Sequence, residues 1–264
     1  MITLAIETAR KAGKAILSFR QSGNDVVASV KEDQSPVTGA DLASDVIIRE
    51  GLLQTGIPIV SEESSETISA NAGRYWLVDP LDGTKDFITG SDDFCVMIAL
   101  IENGRPALAV VYVPMSDTLY AAERGKGAYV RDAAGERPLR VSSRGEGRAT
   151  FVASEHHFTP EMQTVSERMG SVISRRGSNG IKVGLIAEGK ADYTFASWNF
   201  SPWDIAAPQL IVEEAGGRVS GVSGGDIRYD NPGAPLKDGF IASNGSVQGA
   251  LLEAVKEVLK HPSA

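Results

Sequence analysis

Along the first twenty residues apolar side chains recur at helical intervals. Leu4, Ala5, Ala9, Ala12, Ile16 and Phe19 share one face of LAIETARKAGKAILSF, which predicts an amphipathic helix. Residues 40–55 predict a second helix, with Leu42, Val46 and Leu53 among its apolar positions and Gly56-Ile57-Pro58 as its stop. Residues 57–60 and 75–78 then read as short buried strands, and both run into acidic residues. From Phe94 to about Val141 the period becomes that of strands: FCVMIALI, the turn ENGR, ALAVVYV, LYAAE, GAYV and LRVS follow one another as an antiparallel meander.

After about Ser142 strands alternate with helices. FVAS, SVISR, ADYTFA, GRVSG and GFIASN read as strands, and helices are expected near residues 160–169, 182–188, 205–215 and 247–259. Such alternation predicts a layered α/β half. The chain therefore divides into an N-terminal α+β subdomain, residues 1–142, and a C-terminal α/β subdomain, residues 143–264, meeting at the linker-like SSRGEG.

Composition narrows the class of function. The 264 residues can bury a large core. A net charge of -8 argues against a nucleic-acid polymer as partner, which needs an excess of Lys and Arg on some face. No apolar run approaches membrane-spanning length and the N-terminus lacks a signal-peptide core, so a cytoplasmic protein without membrane association is expected. The single cysteine, Cys95, lies inside FCVMIALI and reads as a buried structural thiol. Walker loop, dinucleotide glycine fingerprint, HExxH and CxxC are all absent, and Gly125-Lys126-Gly127 is a hairpin turn. His156 and His157 follow a strand and read as surface residues.

Carboxylates are the remaining chemistry. Asp41 opens the second helix, Glu62 and Glu63 follow the strand IPIV, Asp79 and Asp82 follow YWLV, and Asp204 begins a later helix. Each has a plain alternative: Asp41 and Asp204 as N-caps, the glutamates as solvated loop charges, and DPLDG as a turn. Their common position, where an apolar element ends, gives them a second reading. If those ends converge, the acids form a nest that repulsion forbids unless cations neutralise it. Oxygen ligands without His or Cys select Mg²⁺ or Mn²⁺, and two such ions form a clamp for displacement at phosphorus. Asp79, Asp82 and the intervening Leu81 carbonyl then face one site, with Gly83 and Thr84 opening a turn whose N–H groups hold an anion.

DPLDGTKDF, the preceding SEES, the earlier SPVTGAD and the later PWDIAA with EAGG resemble the signature set of the inositol monophosphatase superfamily, in order and with similar gaps, over nearly the whole chain. The resemblance implies an α-β-α-β-α sandwich and a lithium-sensitive phosphomonoesterase using two or three Mg²⁺ ions, with direct in-line attack by metal-activated water. It implies Glu62, Asp79 and the Leu81 carbonyl as ligands of one ion, and Asp79, Asp82 and Asp204 as ligands of a second. Thr84 would help activate the water, partnered by Asp41 or by Glu62. Glu63 would stand behind the ligands, with Thr38 and Lys31 supporting the loop. A homodimer is common in the inositol branch. Pro208, four residues after Asp204, cannot donate to its carbonyl, so a loosened first helical turn is expected there.

The substrate divides the readings. Lys85, in DGTKDF, and Lys182, before AEG, resemble lysines of the 3′(2′),5′-bisphosphate nucleotidases, and two lysines suit a second phosphate. Gly83, Thr84, Lys85, Ser178, Lys182 and Asp204 are then the substrate contacts, and 3′-phosphoadenosine 5′-phosphate the substrate. Each lysine has an alternative: Lys85 paired with Asp86 or Glu62, and Lys182 as a solvated helix residue. The chain also departs from the nucleotidase pattern, with Asn179-Gly180 in place of a serine pair and no arginine in YTFASWNFSP. Trp198 there either stacks on an adenine or packs between subdomains. Inositol monophosphate, histidinol phosphate and fructose 1,6-bisphosphate stay open as substrates. A non-catalytic, cation-binding regulatory protein is the reading from another class.

Overall fold

The computed structural model describes residues 1–22, 29–30, 36–64 and 72–260; Lys31 lies outside them. Helix α1 (Ile2–Ser22) is followed by a short antiparallel pair, β1 (Ser29–Val30) and β2 (Pro36–Val37), and by α2 (Gly39–Leu53). A seven-stranded sheet follows: β3 (Ile59–Ser61), β4 (Arg74–Asp82), β5 (Cys95–Glu102), β6 (Arg105–Val113), β7 (Thr118–Glu123), β8 (Gly127–Asp132) and β9 (Gly135–Pro138), neighbours in chain order. Only β3 and β4 are parallel; the rest is the expected meander. The short helix α3 (Thr84–Thr89) interrupts it between β4 and β5.

The remaining chain alternates as its pattern predicts. It gives β10 (Thr150–Ser154), α4 (Pro160–Arg168), β11 (Val172–Arg176), α5 (Asn179–Ala187), β12 (Tyr193–Ala196), α6 (Ala206–Glu214), β13 (Arg218–Ser220), β14 (Phe240–Ser243) and α7 (Gln248–Lys260). The second sheet has the order β11-β10-β12-β14-β13, parallel on its first three strands and antiparallel after them. Helices α1 and α2 cover one face of the large sheet, α5 and α6 fill the space between the sheets, and α4 pairs with α7 beyond the small one. This is the layered α-β-α-β-α sandwich. No helix among the described residues is long and apolar enough to cross a membrane.

Three local outcomes differ from the sequence pattern. In α2, Leu42, Val46 and Leu53 face outward, and the buried stripe is Ala40, Ser44, Ile48 and Leu52. That face wins because Ser44 donates to the Pro80 carbonyl at 2.7 Å, which seats the helix on β4. The break after Val78 is not a simple turn, since β4 continues to Asp82. Three steps from Asp79 to Asp82 are matched by two on β5, from Met97 to Cys95, so one extra residue bulges out. Pro80 has no N–H to give the ladder and the Leu81 N–H turns back to Asp79 Oδ1 at 3.0 Å. The turn comes at Gly83, whose φ of 99° and 2.6 Å Cβ approach to the Asp93 carbonyl admit only glycine. Finally, α5 begins at Asn179 instead of 182, which places Lys182 inside its first turns.

Pro208 has the expected consequence. Pro202–Asp204 is a separate 3₁₀ turn, and α6 begins only at Ala206, with Pro208 in its first turn, where its missing N–H is not needed.

Helix α5 reaches the large sheet because Gly180 has no side chain: a Cβ there would lie 2.5 Å from Cys95 Sγ and 2.9 Å from Val111 Cγ1. Gly180→Ala is therefore expected to lose about 1–3 kcal/mol in urea unfolding, and Cys95→Ala in the same chain to recover part of it. Strict additivity of the two substitutions would show that the contact does not set the helix position.

Candidate active site

Three core elements deliver four acids to one cleft of about 610 Å³. Asp79 and Asp82 come from the bulged end of β4, Glu62 from the residue after β3, and Asp204 from the 3₁₀ turn; all four line the cleft. Leu81, Gly83, Thr84, Lys85, Ser178 and Lys182 line it as well. Asp41 stands just behind, its Oδ1 2.9 Å from the Thr84 hydroxyl, which also reaches the Leu81 carbonyl at 3.2 Å.

Hydrogen bonds hold Asp41 and Asp204 locally and Asp82 from a distance. Asp41 is not the N-cap of α2. Thr38 is, accepting from the Ala40 and Asp41 N–H groups, while Asp41 Oδ2 takes the Thr38 N–H at 2.8 Å and its hydroxyl at 2.5 Å. Asp204 occupies the corresponding third position of its turn and accepts the Ser201 N–H at 3.0 Å on Oδ2. Asp82 is held from the second half of the chain: its Oδ2 receives the Ser178 hydroxyl at 2.5 Å, the Gly180 N–H at 2.9 Å and the Cys95 thiol at 3.6 Å. Asp79, Asp82 and Asp204 are thus each anchored through one oxygen. The other oxygen of each has no hydrogen-bond partner among the described residues.

Burial and mutual repulsion dominate the electrostatics. Asp79 is pushed well above the usual carboxylate range by burial, then by the charges of Glu62, Asp82, Asp204 and Asp41. Asp204 is raised likewise, by burial and then by Glu62 and Asp82. Burial raises Asp82 too, against the opposing effect of Ser178, Gly180 and Lys182. Asp41 is lifted by burial and pulled back by Thr38 and Thr84. Among the described residues no group of three or more His, Cys, Asp or Glu side chains is already arranged to hold a metal ion. The donor chemistry nevertheless fits a hard divalent cation, because outward carboxylate oxygens and one carbonyl line the cleft.

The basic side of the cleft corrects several readings. Lys182 is not a solvated helix residue: it is 7% exposed, and burial lowers its pKa while Asp82, Asp86 and Asp204 favour its charge. Lys85 is exposed and pairs with neither Asp86 nor Glu62 among the described residues. Asp86 instead meets His156 Nε2 at 3.0 Å. Ser178 sits at φ 51° as the N-cap of α5 and spends its hydroxyl on Asp82. Cys95 is the expected buried thiol, raised well above its ordinary pKa chiefly by burial.

His156 and His157 are exposed, as their place after a strand predicts, and with Asp86 they also line the cleft, a placement not expected of them. Burial, Lys85 and Lys182 hold His157 below the usual imidazole range. The available signal was the tandem histidine just beyond the strand FVAS. It is the end of a core strand, the kind of position from which the acids also enter.

The chain matches the inositol monophosphatase family over residues 1–260. It is 35% identical over 244 residues to the 3′(2′),5′-bisphosphate nucleotidase CysQ of Salmonella typhimurium, covering 91% of this chain and 98% of that one. The fold superposes on the extragenic suppressor protein suhB from Bartonella henselae with a TM-score of 0.84 at 30% identity, covering 97% and 98% of the two chains. CysQ from Bacteroides thetaiotaomicron gives 0.81 at 31% identity, covering 92% and 97%. With the fold, the acid cluster and these relatives in agreement, the chain belongs to the inositol monophosphatase family and is a phosphatase.

Proposed function

We propose that this phosphatase is a cytoplasmic, Mg²⁺-dependent 3′(2′),5′-bisphosphate nucleotidase that converts 3′-phosphoadenosine 5′-phosphate to AMP and phosphate. The observation that carries this reading is the presence of Lys85 and the buried Lys182 in the same cleft as the acid cluster. One phosphate belongs with the acids and their cations, and a second needs fixed positive charge. The CysQ relatives, named as nucleotidases, support it.

Glu62, Asp79, the Leu81 carbonyl, Asp82 and Asp204 would hold two or three Mg²⁺ ions, for which Mn²⁺ is a chemical substitute. When bound, such ions supply Lewis acidity at the phosphoryl oxygens. The chain's own residues do the rest. Asp41 Oδ1 accepts the Thr84 proton, so a lone pair of Thr84 Oγ is left to orient the attacking water and take its proton toward Asp41. Burial raises the proton affinity of Asp41, which suits it to accept a proton. The N–H groups after Gly83, free at the start of α3, hold the phosphoryl oxygens. Water attacks phosphorus as its proton passes toward Asp41, the bond to the ribose oxygen breaks, and that oxygen takes up one proton from solvent while Asp41 returns its own, so that one water supplies both the new P–O bond and the alcohol proton. Lys182 and Lys85 grip the phosphate that stays on the product.

Phosphate release with Mg²⁺ is expected to be faster on 3′-phosphoadenosine 5′-phosphate than on inositol 1-phosphate, and to stop with EDTA. Lys182→Ala should raise KM for the nucleotide roughly 10- to 100-fold, as loss of a charge-assisted contact does. Faster turnover of inositol 1-phosphate, unaffected by that substitution, would assign the chain to the inositol branch. No turnover across a broad panel of phosphate esters would leave only a cation-binding role.

Asp79 gives a prediction on stability. An acid whose folded pKa is raised contributes stability below its unfolded pKa and loses it as pH rises through the folded value. In EDTA the melting temperature is therefore expected to fall as pH rises from about 4 toward 7, and Asp79→Asn to flatten that fall while abolishing phosphate release. Added Mg²⁺ should raise the melting temperature of the wild type more than that of the variant. Equal pH profiles in EDTA would show that Asp79 carries no such strain.

A further inference from the structure

The cleft has one wall that neither the acids nor the lysines account for. Trp198 stands in the loop between β12 and the Pro202–Asp204 turn, lines the cleft, and is half-buried. Its indole stacks on Phe200, with centroids 5.7 Å apart and planes 22° from parallel. Phe200 in turn meets Phe240 of β14 edge-on at 4.8 Å. The indole is therefore backed by Phe200, whose backbone bridges Leu236, and through it by Phe240 of the small sheet. His157 comes to 6.1 Å from it, and the same imidazole feels the charge of Lys85 and Lys182. The cleft thus runs from carboxylates, through two lysines and an imidazole, to a rigid flat apolar ring.

A cyclitol ring carries hydroxyls around its whole rim and needs polar partners, which an indole face does not offer. A nucleobase has a π-face of matching size and stacks on an aromatic side chain whatever its edge pattern. We propose that Trp198 is the base-recognising wall of the substrate site, and so a specificity-determining residue that selects nucleoside bisphosphates over sugar and cyclitol phosphates. This rests on the nucleotidase reading above. It also explains how the chain dispenses with the arginine expected in YTFASWNFSP: stacking supplies the grip on the nucleoside.

The test compares 3′-phosphoadenosine 5′-phosphate with ribose 3,5-bisphosphate, which has both phosphates and no base. Trp198→Ala is expected to raise KM for the nucleotide roughly tenfold and to leave kcat, and KM for the base-less ester, unchanged. AMP should quench the tryptophan fluorescence of the wild type and not that of Trp198→Phe. An equal rise of KM for both esters, or AMP quenching retained in Trp198→Phe, overturns the assignment. Should the alanine variant fail to fold, the wild type decides: a KM for the base-less ester about tenfold above that for the nucleotide supports stacking, and equal values refute it. Turnover of inositol 1-phosphate with neither bisphosphate accepted refutes the nucleotidase reading and the stacking together. Turnover of both bisphosphates at equal KM refutes the stacking alone.

Discussion

The structure turns on the repulsion among acids that its own core forces together. Glu62, Asp79, Asp82 and Asp204 line one cleft, and Asp79 feels the other three as well as Asp41 behind them. Burial in a low dielectric makes each charge more expensive and each repulsion stronger. A chain selected for stability alone would separate them. Here two parallel strands end side by side, β3 paired with β4 at Ser61 and Val78, so that Glu62 and Asp79 emerge together. The bulge then carries Asp82 to the same side. The surrounding apolar core supplies the stability that this arrangement costs.

Because the acids repel, Asp41, Asp79, Asp82 and Asp204 each carry a restraint of their own. Three of the restraints are local: the reciprocal cap of α2 on Asp41, the Asx-type bond from Leu81 to Asp79, and the 3₁₀ cap on Asp204. The fourth is long-range, since Asp82 is gripped by Ser178 and Gly180 from the start of α5. That grip ties the site's integrity to the packing of α5 between the sheets. A second buried carboxylate fixes the connection between the halves. Asp192, fully buried, accepts from Arg144 Nε at 2.8 Å, the Thr150 N–H at 2.6 Å and Asn244 Nδ2 at 3.1 Å, and meets the Ser142 hydroxyl. The segment joining the sheets is thereby pinned at the foot of β10, and the two sides of the cleft are held in register.

Most of the architecture was legible because periodicity reports burial. The meander from Cys95 onward and the alternation after Thr150 are direct readings of period 2 and period 3.6. The acids were legible as a group because each stands where an apolar element ends, although each alone has a plain alternative as a cap, a loop charge or a turn residue. What escaped the sequence depends on partners distant in the chain. The buried face of α2 is not set by its largest apolar residues: Ser44 turns inward through the Pro80 carbonyl, while Leu42, Val46 and Leu53 stand exposed. The bulge at Asp79 to Asp82 resembled a turn because Pro and Gly punctuate both. Lys182 could not be told from a solvated lysine, since its burial is decided by where α5 begins and by acids about a hundred residues earlier. His156 joined the site through Asp86, a contact between residues 70 positions apart.

The charge of the cleft also constrains the order in which it fills. Among the described residues that line the cleft the acids outnumber the lysines, with Lys182 buried beside them and Lys85 exposed. A phosphate dianion entering such a site meets net repulsion. On the proposed reading divalent cations must reverse that sign before the ester is held, so cation affinity and substrate affinity are linked quantities, each favouring the other by the same factor. Lys182 sharpens the linkage. It lowers the cost of Asp82 and Asp204 while they lack a cation, and it repels the cation that would replace it as their partner. On the proposed reading its position has a physical logic: once cations neutralise Asp82 and Asp204, the lysine charge is available to the phosphate that those cations do not hold.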